Sequence, residues 1–305
     1  MSATTANDVR AEKDELKKSK PPTGFSVLAR ELIKDKLALV SLFILISVVL
    51  FVFIYSLFLN QEEITRINPL DIFEPPGSEY LLGTDYGGRD VFGQLIIGAR
   101  NSLTIGITIT LITSFIGITI GVLAGYFGGW VDNLLMRIID FILVLPVTML
   151  IIVFVTLVPK FNVFNFIFIM SIFYWTGIAR LIRSKTLAER ELDYVSASKT
   201  LGTPNWKIIL FQVIPNLSSI IIVNMTLNLA GNIGIETGLT YLGFGLPENT
   251  PSLGTLISYS TNPDVMQNKS WVWLPAAILI LVLMLSINFV GQALKRAADA
   301  RQRLG

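Results

Sequence analysis

Six stretches of mostly apolar residues, each about as long as a bilayer is thick, constrain this chain more than any other feature. They are Leu37–Leu59, Ser102–Gly125, Ile139–Val158, Phe161–Ile182, Val213–Thr237 and Val272–Leu294. Crossing roughly 30 Å of hydrocarbon at 1.5 Å per residue takes about 20 apolar residues in a helix. No water reaches that layer, so a span must satisfy its own backbone polar groups. The expected fold is therefore all-α, a polytopic membrane protein with six transmembrane helices. Composition agrees: 52% of the 305 residues are hydrophobic and 15% are charged, against about 25% charged in soluble domains. The fifth stretch is the least apolar, being rich in Asn, Ser and Gly. The third and fourth are separated by Pro159-Lys160 alone, which predicts a tight helical hairpin.

Lys and Arg near the span ends set the direction. The loop between spans four and five carries Arg183, Lys185, Arg190, Lys199 and Lys207, and the C-terminal tail carries Lys295, Arg296, Arg301 and Arg303. The loop 60–99 holds Arg66 and Arg89 against Glu62, Glu63, Asp71, Glu74, Glu79, Asp85 and Asp90, and the loop 241–271 has Lys269 alone. Both termini and the 183–212 loop are thus expected in the cytoplasm, with the two acidic loops outside. The chain divides into a cytoplasmic tail with an amphipathic helix over 1–36, a six-span body over 37–294 and a cytoplasmic tail over 295–305. In the first part, Phe25, Leu28, Leu32 and Ile33 share one helical face opposite Arg30, Glu31, Lys34 and Asp35. Such a helix either lies on the membrane surface or simply extends the first span.

Several chemistries are excluded. There is no Cys and no His, so neither a thiolate or imidazole metal site nor a Ser/His/Asp or Cys/His mechanism can be built from this chain. A formal net charge of +2 invites no nucleic-acid reading. No G-x-x-x-x-G-K-[ST] occurs, so the chain shows no ATP site of its own.

One segment does not suit a bilayer: "ELDYVSASKTLGTPNWKIILFQVIPN", Glu191 to Asn216. Asp193 is placed to cap a helix starting at Tyr194, and Gly202 to end it in the left-handed conformation. Thr203-Pro204 reads as a second N-cap with proline at the first helical position. Trp206, Ile209 and Leu210 form the apolar face of the next helix, with Pro215 at the water–lipid transition. The first helix presents Tyr194, Ala197 and Leu201 on one face, and Ser196, Ala197 and Ser198 are small enough to admit a close partner. Helices this short are marginal in water. Another surface must stabilise it, either a partner protein or the chain's own bundle.

Two features of the spans carry side-chain chemistry. Thr113, Gly117, Gly121 and Gly125 recur every fourth residue in span two, the pattern that lets another helix approach closely. In span five Asn224, Asn228, Asn232 and Glu236 also recur every fourth residue, a polar stripe that must face protein or a wet cavity. It either lines a path or bonds neighbouring helices, and for Glu236 a pairing or gate role is expected. Arg137 and Asp140 can pair on one helical face.

The 193–216 segment resembles the cytoplasmic coupling loop of ABC importer permeases: Ser196-Ala197-Ser198, Gly202 and Ile214-Pro215 fall where that loop has Glu-Ala-Ala, Gly and Leu-Pro. Ser196 and Gln212 depart from it, and Phe211-Gln212 stands for the usual Arg-His. "LGTDYGGRD" (Leu82–Asp90), "GARNSL" (Gly98–Leu103), "GYFGGWVDNLLMRIID" (Gly125–Asp140), "WTGIARLIRS" (Trp175–Ser184) and "ETGLTYLGFGLPENTPSLG" (Glu236–Gly254) are similar, in place and order, to the oligopeptide and dipeptide branch, second permease subunit. Leu253 departs where the branch usually has Trp. The resemblance implies the type I importer permease fold and a non-catalytic subunit of an ATP-driven oligopeptide or dipeptide importer. It implies multi-pass insertion in a bacterial cytoplasmic membrane, beside a homologous permease. It also implies two cytoplasmic ATPases holding ATP and Mg, and an extracytoplasmic peptide-binding protein. Asp193, Tyr194, Val195, Ser196, Ala197, Ser198, Leu201 and Gly202 would meet an ATPase; Asn224, Asn228, Asn232 and Glu236 would line the path; Arg89 and Asp90 would meet an outer partner. Relatives of the branch carry nickel, metal chelates or glutathione. A proton-driven carrier is the rival from another class, but it usually needs a mid-span titratable group and often an internal repeat. Neither is evident.

Overall fold

A 37-residue helix, Val91–Phe127, is the spine of the fold. Asp90 starts it, its carboxylate accepting the Phe92 and Gly93 N–H groups at 3.1 and 2.8 Å. Gly128 ends it at φ +65°, a left-handed turn that glycine enters without Cβ strain. The computed structural model of the chain describes residues 32, 34–158 and 161–302. The expected amphipathic helix over 25–36 and the Pro159-Lys160 turn lie wholly or largely outside those residues. In chain order the helices are α1 (Lys36–Ser56), α2 (Gln61–Ile64), α3 (Val91–Phe127), α4 (Gly129–Val144), α5 (Val147–Leu157) and α6 (Val163–Arg190). They continue as α7 (Asp193–Thr200), α8 (Asn205–Ile208), α9 (Ile214–Tyr241), α10 (Leu253–Ser258), α11 (Pro263–Asn268) and α12 (Leu274–Gln302). Among the described residues β pairing is limited to an isolated bridge, Thr84 with Asp90.

The small-residue stripe packs as its spacing predicts. A Cβ added at Gly117 would lie 2.7 Å from Ile178 Cβ, one at Gly121 2.6 Å from the Ala179 carbonyl, and one at Gly125 2.7 Å from the Arg183 carbonyl. The backbones of α3 and α6 therefore touch at three points over about two helical turns, a contact any larger side chain would force apart. Beyond them, α1, α9 and α12 close around Ala99, Leu103, Ile233, Leu253, Leu283 and Ile287.

Five helices are long and apolar enough to cross a membrane; a sixth crossing exists if α4 and α5 count as one. The third span was expected as a single helix over 139–158. It is instead two helices bent by 75° at Leu145-Pro146. Pro146 has no N–H and its ring crowds the preceding turn. The residue before it, Leu145, is correspondingly extended at ψ 140°. A second proline perturbs span five more gently. The 37 residues Asn205–Tyr241 form one helix, but Ile209–Val213 winds as a π-turn, with Ile214 N–H reaching the Ile209 carbonyl. Pro215 cannot donate, and its ring displaces the carbonyl of Phe211, so the turn ahead of it widens.

Candidate functional site

At the end of the bundle where α3 and α6 finish, α7 lies across a small apolar floor. Val195 is the residue of α7 that enters it, 0% exposed among Val122, Tyr126, Ile178, Ile182, Ile208, Val213 and Leu217. Polar ties hold the rest. The Ser198 hydroxyl and the Gln212 amide meet at 2.9–3.0 Å. Tyr194 Oη donates to Glu189 at 2.5 Å and accepts from Asn216 Nδ2 at 2.8 Å. Partial burial, then the Glu189 carboxylate, pushes the Tyr194 phenol up to about 12, so it remains a donor across the physiological range. Tyr126 Oη donates to Asn205 at 3.0 Å, and Lys199 Nζ stands 5.0 Å from the Tyr126 ring.

The C-terminus of α7 is stopped as expected. Gly202 sits at φ +77°; its N–H bonds to the Lys199 carbonyl and the Thr203 N–H to the Ser198 carbonyl, each at 3.0 Å. This is a Schellman motif, and it satisfies carbonyls the helix leaves free. The N-terminus differs. Asp193 is not the cap but the first helical residue; Leu192 stands at the N-cap with extended backbone and no side-chain bond. In the first turn Asp193 still suits the positive end of the helix dipole. Likewise Pro204, not Thr203, holds the cap position before Asn205. Of the expected apolar face Trp206, Ile209 and Leu210, Ile209 is buried, and Ile208 and Val213 join it in the floor. Trp206 and Leu210 point outward.

Outward, α7 shows Asp193, Ser196, Ala197, Lys199 and Thr200, with bare apolar residues at its two ends and in α8. Leu201 is 84% exposed, Leu192 46% and Trp206 55%; Ser196 and Ala197 are exposed beside them, while Tyr194, 37% exposed, is held by Glu189 and Asn216. One face of α7 is therefore fixed to the chain's own bundle and the opposite face is bare.

The polar stripe of α9 splits in two. Asn232 is buried and donates to Thr110 Oγ1 at 2.9 Å. Glu236 is fully buried, accepting from Ser102 at 2.9 Å and from Thr240 at 3.1 Å. These two bond neighbouring elements: Glu236 takes the pairing role and Asn232 the interhelical bond, the alternatives to lining a path. Asn224 and Asn228 are half-exposed and bond each other at 2.7 Å.

The outer-loop pair is also turned inward. Arg89 is 6% exposed; its Nε donates to Asp85, itself fully buried, at 2.8 Å, and Nη2 reaches Tyr259 Oη at 3.1 Å. Gln94 Nε2 gives the same Asp85 carboxylate another bond at 2.9 Å. Asp90 is spent as the cap of α3. A buried Asp must be paired, and that need, carried by Asp85, claims Arg89 ahead of any partner.

Sequence reasoning missed further ties. Asp140 reaches across to Arg180 of α6 rather than pairing with Arg137. Asp132 takes Arg183 through Nε at 2.9 Å and also through Nη2. Arg190 Nη1 caps the end of α3 on the Gly125 carbonyl at 3.1 Å. The signal for these was present: an "R-x-x-R" in α6 at i, i+3 faces acids in α4 spaced two turns apart.

Known proteins place this geometry. Residues 117–304 match the family described as binding-protein-dependent transport system inner membrane component. The oligopeptide transport system permease protein OppC of Lactococcus lactis subsp. cremoris is 51% identical over 276 residues, covering 90% of this chain and 94% of that protein. The oligopeptide transport system permease protein AmiD of Streptococcus pneumoniae is 37% identical, covering 89% and 88%. The peptidoglycan transport system permease protein YejE of Agrobacterium fabrum is 34% identical, covering 72% and 57%. Among solved structures, an inward-facing form of the MetNI methionine ABC transporter matches with a TM-score of 0.54 at 18% identity, over 68% of this chain and 97% of that one. The fold is that of an ABC importer permease, and the chain belongs to the family of binding-protein-dependent transport system inner membrane components.

Proposed function

We propose that this chain is one of two membrane-embedded halves of an ATP-driven oligopeptide importer. It works beside a homologous permease, two cytoplasmic ATPases that bind ATP and Mg, and an extracytoplasmic peptide-binding protein. Its place is a bacterial cytoplasmic membrane, with both termini and α7 on the cytoplasmic side, as the Lys and Arg asymmetry of its loops requires. The six-span body runs over 37–294.

The observation that carries this reading is the two-sidedness of α7. Leu192, Ala197 and Leu201 lie bare while Val195, Ser198 and Tyr194 anchor the helix to α6 and α9. A helix so held transmits force: a partner that grips the bare face moves α6 and α9 with it. ATP drives the cycle because it binds the closed ATPase pair better than the open one. When the pair closes, the two α7 helices are drawn together and the path opens outward. Asn224 and Asn228 line that path. Their amides suit peptide backbones without reading side chains, which fits a broad peptide substrate.

The test is uptake into proteoliposomes carrying the complete assembly. ATP-dependent entry of a labelled oligopeptide, with its binding protein present, is the expected result. Entry of glutathione or a metal chelate in place of peptides would reassign the substrate. Uptake that needs a proton gradient and no ATP would overturn the class.

A further inference from the structure

At the end of the bundle opposite α7, the second half of α1 and the start of α12 leave an open groove of about 650 Å³ between them. Val48 and Val52 of α1, Leu95 of α3 and Leu279 of α12 form its walls, and Leu82 and Trp271 close it from the loops that precede α3 and α12. Trp271 is fixed in place. Its Nε1 donates to the Thr84 carbonyl at 3.3 Å, and a Cβ on Gly83 would fall 2.9 Å from its ring. The indole therefore lies against bare backbone.

No charged residue lines the groove, and Ser270 is its one polar side chain besides that committed indole N–H. Water has little to hold it there, since a buried water needs two to four polar partners. Left empty, the groove forfeits dispersion contacts along its whole wall.

What lies outside the groove follows from the helices that form it. Both α1 and α12 are long and apolar enough to cross a membrane. Residues 48–52 stand about 18–24 Å along α1 from Lys36 at 1.5 Å per residue, inside the roughly 30 Å of hydrocarbon such a helix crosses. Phe51 and Ile278 at the edges are exposed. The groove thus opens onto acyl chains, not onto water. A partner's helix is a poorer match. The lining runs for roughly 6–8 Å along α1 and α12 and ends at Leu82 and Trp271, whereas a second span needs a track along most of its length. An acyl chain is thin and flexible, and it brings no polar group that would need a partner in such a slot.

We propose that this groove holds one acyl chain of a membrane phospholipid, with the headgroup left at the exposed Ser270 rim. The seated chain completes the contact between α1, α12 and the loops that carry Leu82 and Trp271. The site does not depend on what the importer carries.

The test reads Trp271 directly. In a full-length chain with Trp130, Trp175, Trp206 and Trp273 replaced by Phe, bromine on a lipid chain quenches the remaining indole on contact. The chain in detergent is titrated with phosphatidylcholine brominated at mid-chain, then with phosphatidylglycerol of the same brominated chains. Quenching is expected to saturate at one lipid per protein, with affinities within about twofold for the two headgroups, because buried methylenes set them. Val48→Phe and Ile278→Phe push a ring into the groove from opposite walls. Each should weaken binding about tenfold by displacing roughly two methylenes. Quenching that follows the lipid content of the micelle without saturating, or that either filled variant leaves unchanged, would overturn the site. A preference of about tenfold or more for phosphatidylglycerol would overturn the acyl-chain assignment in favour of a headgroup site. Native mass spectrometry of the chain with all five tryptophans repeats the comparison free of the four replacements. One phosphatidylcholine retained by that chain and released by V48F is expected; a lipid-free pair of chains would give the groove to a second copy and overturn the proposal.

Discussion

Replacing Leu201 with alanine separates the two faces of α7. In the chain alone Leu201 is 84% exposed, so truncating it should change subunit stability by no more than about 0.5 kcal/mol. Buried in a partner's cleft, a leucine side chain is worth about 1.5–3 kcal/mol. Leu201→Ala removes most of that, about 2 kcal/mol, which is about a thirtyfold loss of affinity. Val195 is the control on the other face. It is fully buried in the chain's own floor, and Val195→Ala removes two methyls, costing about 1–2 kcal/mol of subunit stability at ~0.8 per methyl-sized group. Two assays divide the effects: thermal unfolding of the purified chain, and titration of the ATPase partner onto it in nanodiscs. The expected pattern is unchanged unfolding with weakened association for Leu201→Ala, and a lowered unfolding temperature for Val195→Ala. Wild-type ATPase affinity in a folded Leu201→Ala chain would refute the docking role of that face.

Other substitutions follow from the same geometry. A Cβ at Gly202 meets nothing within 4 Å in the chain, so only its positive φ opposes substitution, by roughly 1–2 kcal/mol. Gly202→Asn, which tolerates that conformation, should keep most stimulated ATPase activity, while Gly202→Val should lose it. Removing the guanidinium with Arg89→Ala leaves Asp85 buried and unpaired, at about 3–5 kcal/mol; the chain's unfolding temperature should drop sharply, and an Asp85→Asn/Arg89→Met double variant should recover part of the loss. Ser198→Ala and Gln212→Leu cut the same tie, so transport per ATP hydrolysed should fall equally in each single variant and no further in the double.

How legible this protein was depended on the range of the interactions involved. The Thr113, Gly117, Gly121 and Gly125 stripe predicted a close helix contact because its meaning is carried by spacing within one helix. The Gly202 stop was equally local. Leu145-Pro146 was not read at all: the apolar run of span three hid a bend that the proline imposes. Arg89 read as an outward charge although Asp85, its ion-pair partner, lies four residues away; what the sequence hid is the burial of the pair, to which Tyr259, 170 residues on, contributes. The Arg137–Asp140 pair failed for the same reason: Asp140 finds Arg180 on a helix that only the tertiary fold brings beside it. In α9, periodicity placed Asn224, Asn228, Asn232 and Glu236 on one face. The burial of the last two came from α3 and the Ser252 turn, elements the stripe itself does not contain.

Which surface holds the outer face of α7 is the question on which the account rests, and cross-linking answers it most directly. The chain has no native cysteine, so A197C, L201C and V195C each give a unique attachment point for a photoreactive maleimide in the assembled complex. Adducts to an ATPase subunit from positions 197 and 201, and none from the buried position 195, are the predicted result. Adducts from 197 and 201 that join only the chain's own helices, or no adduct to an ATPase from either position, would contradict it.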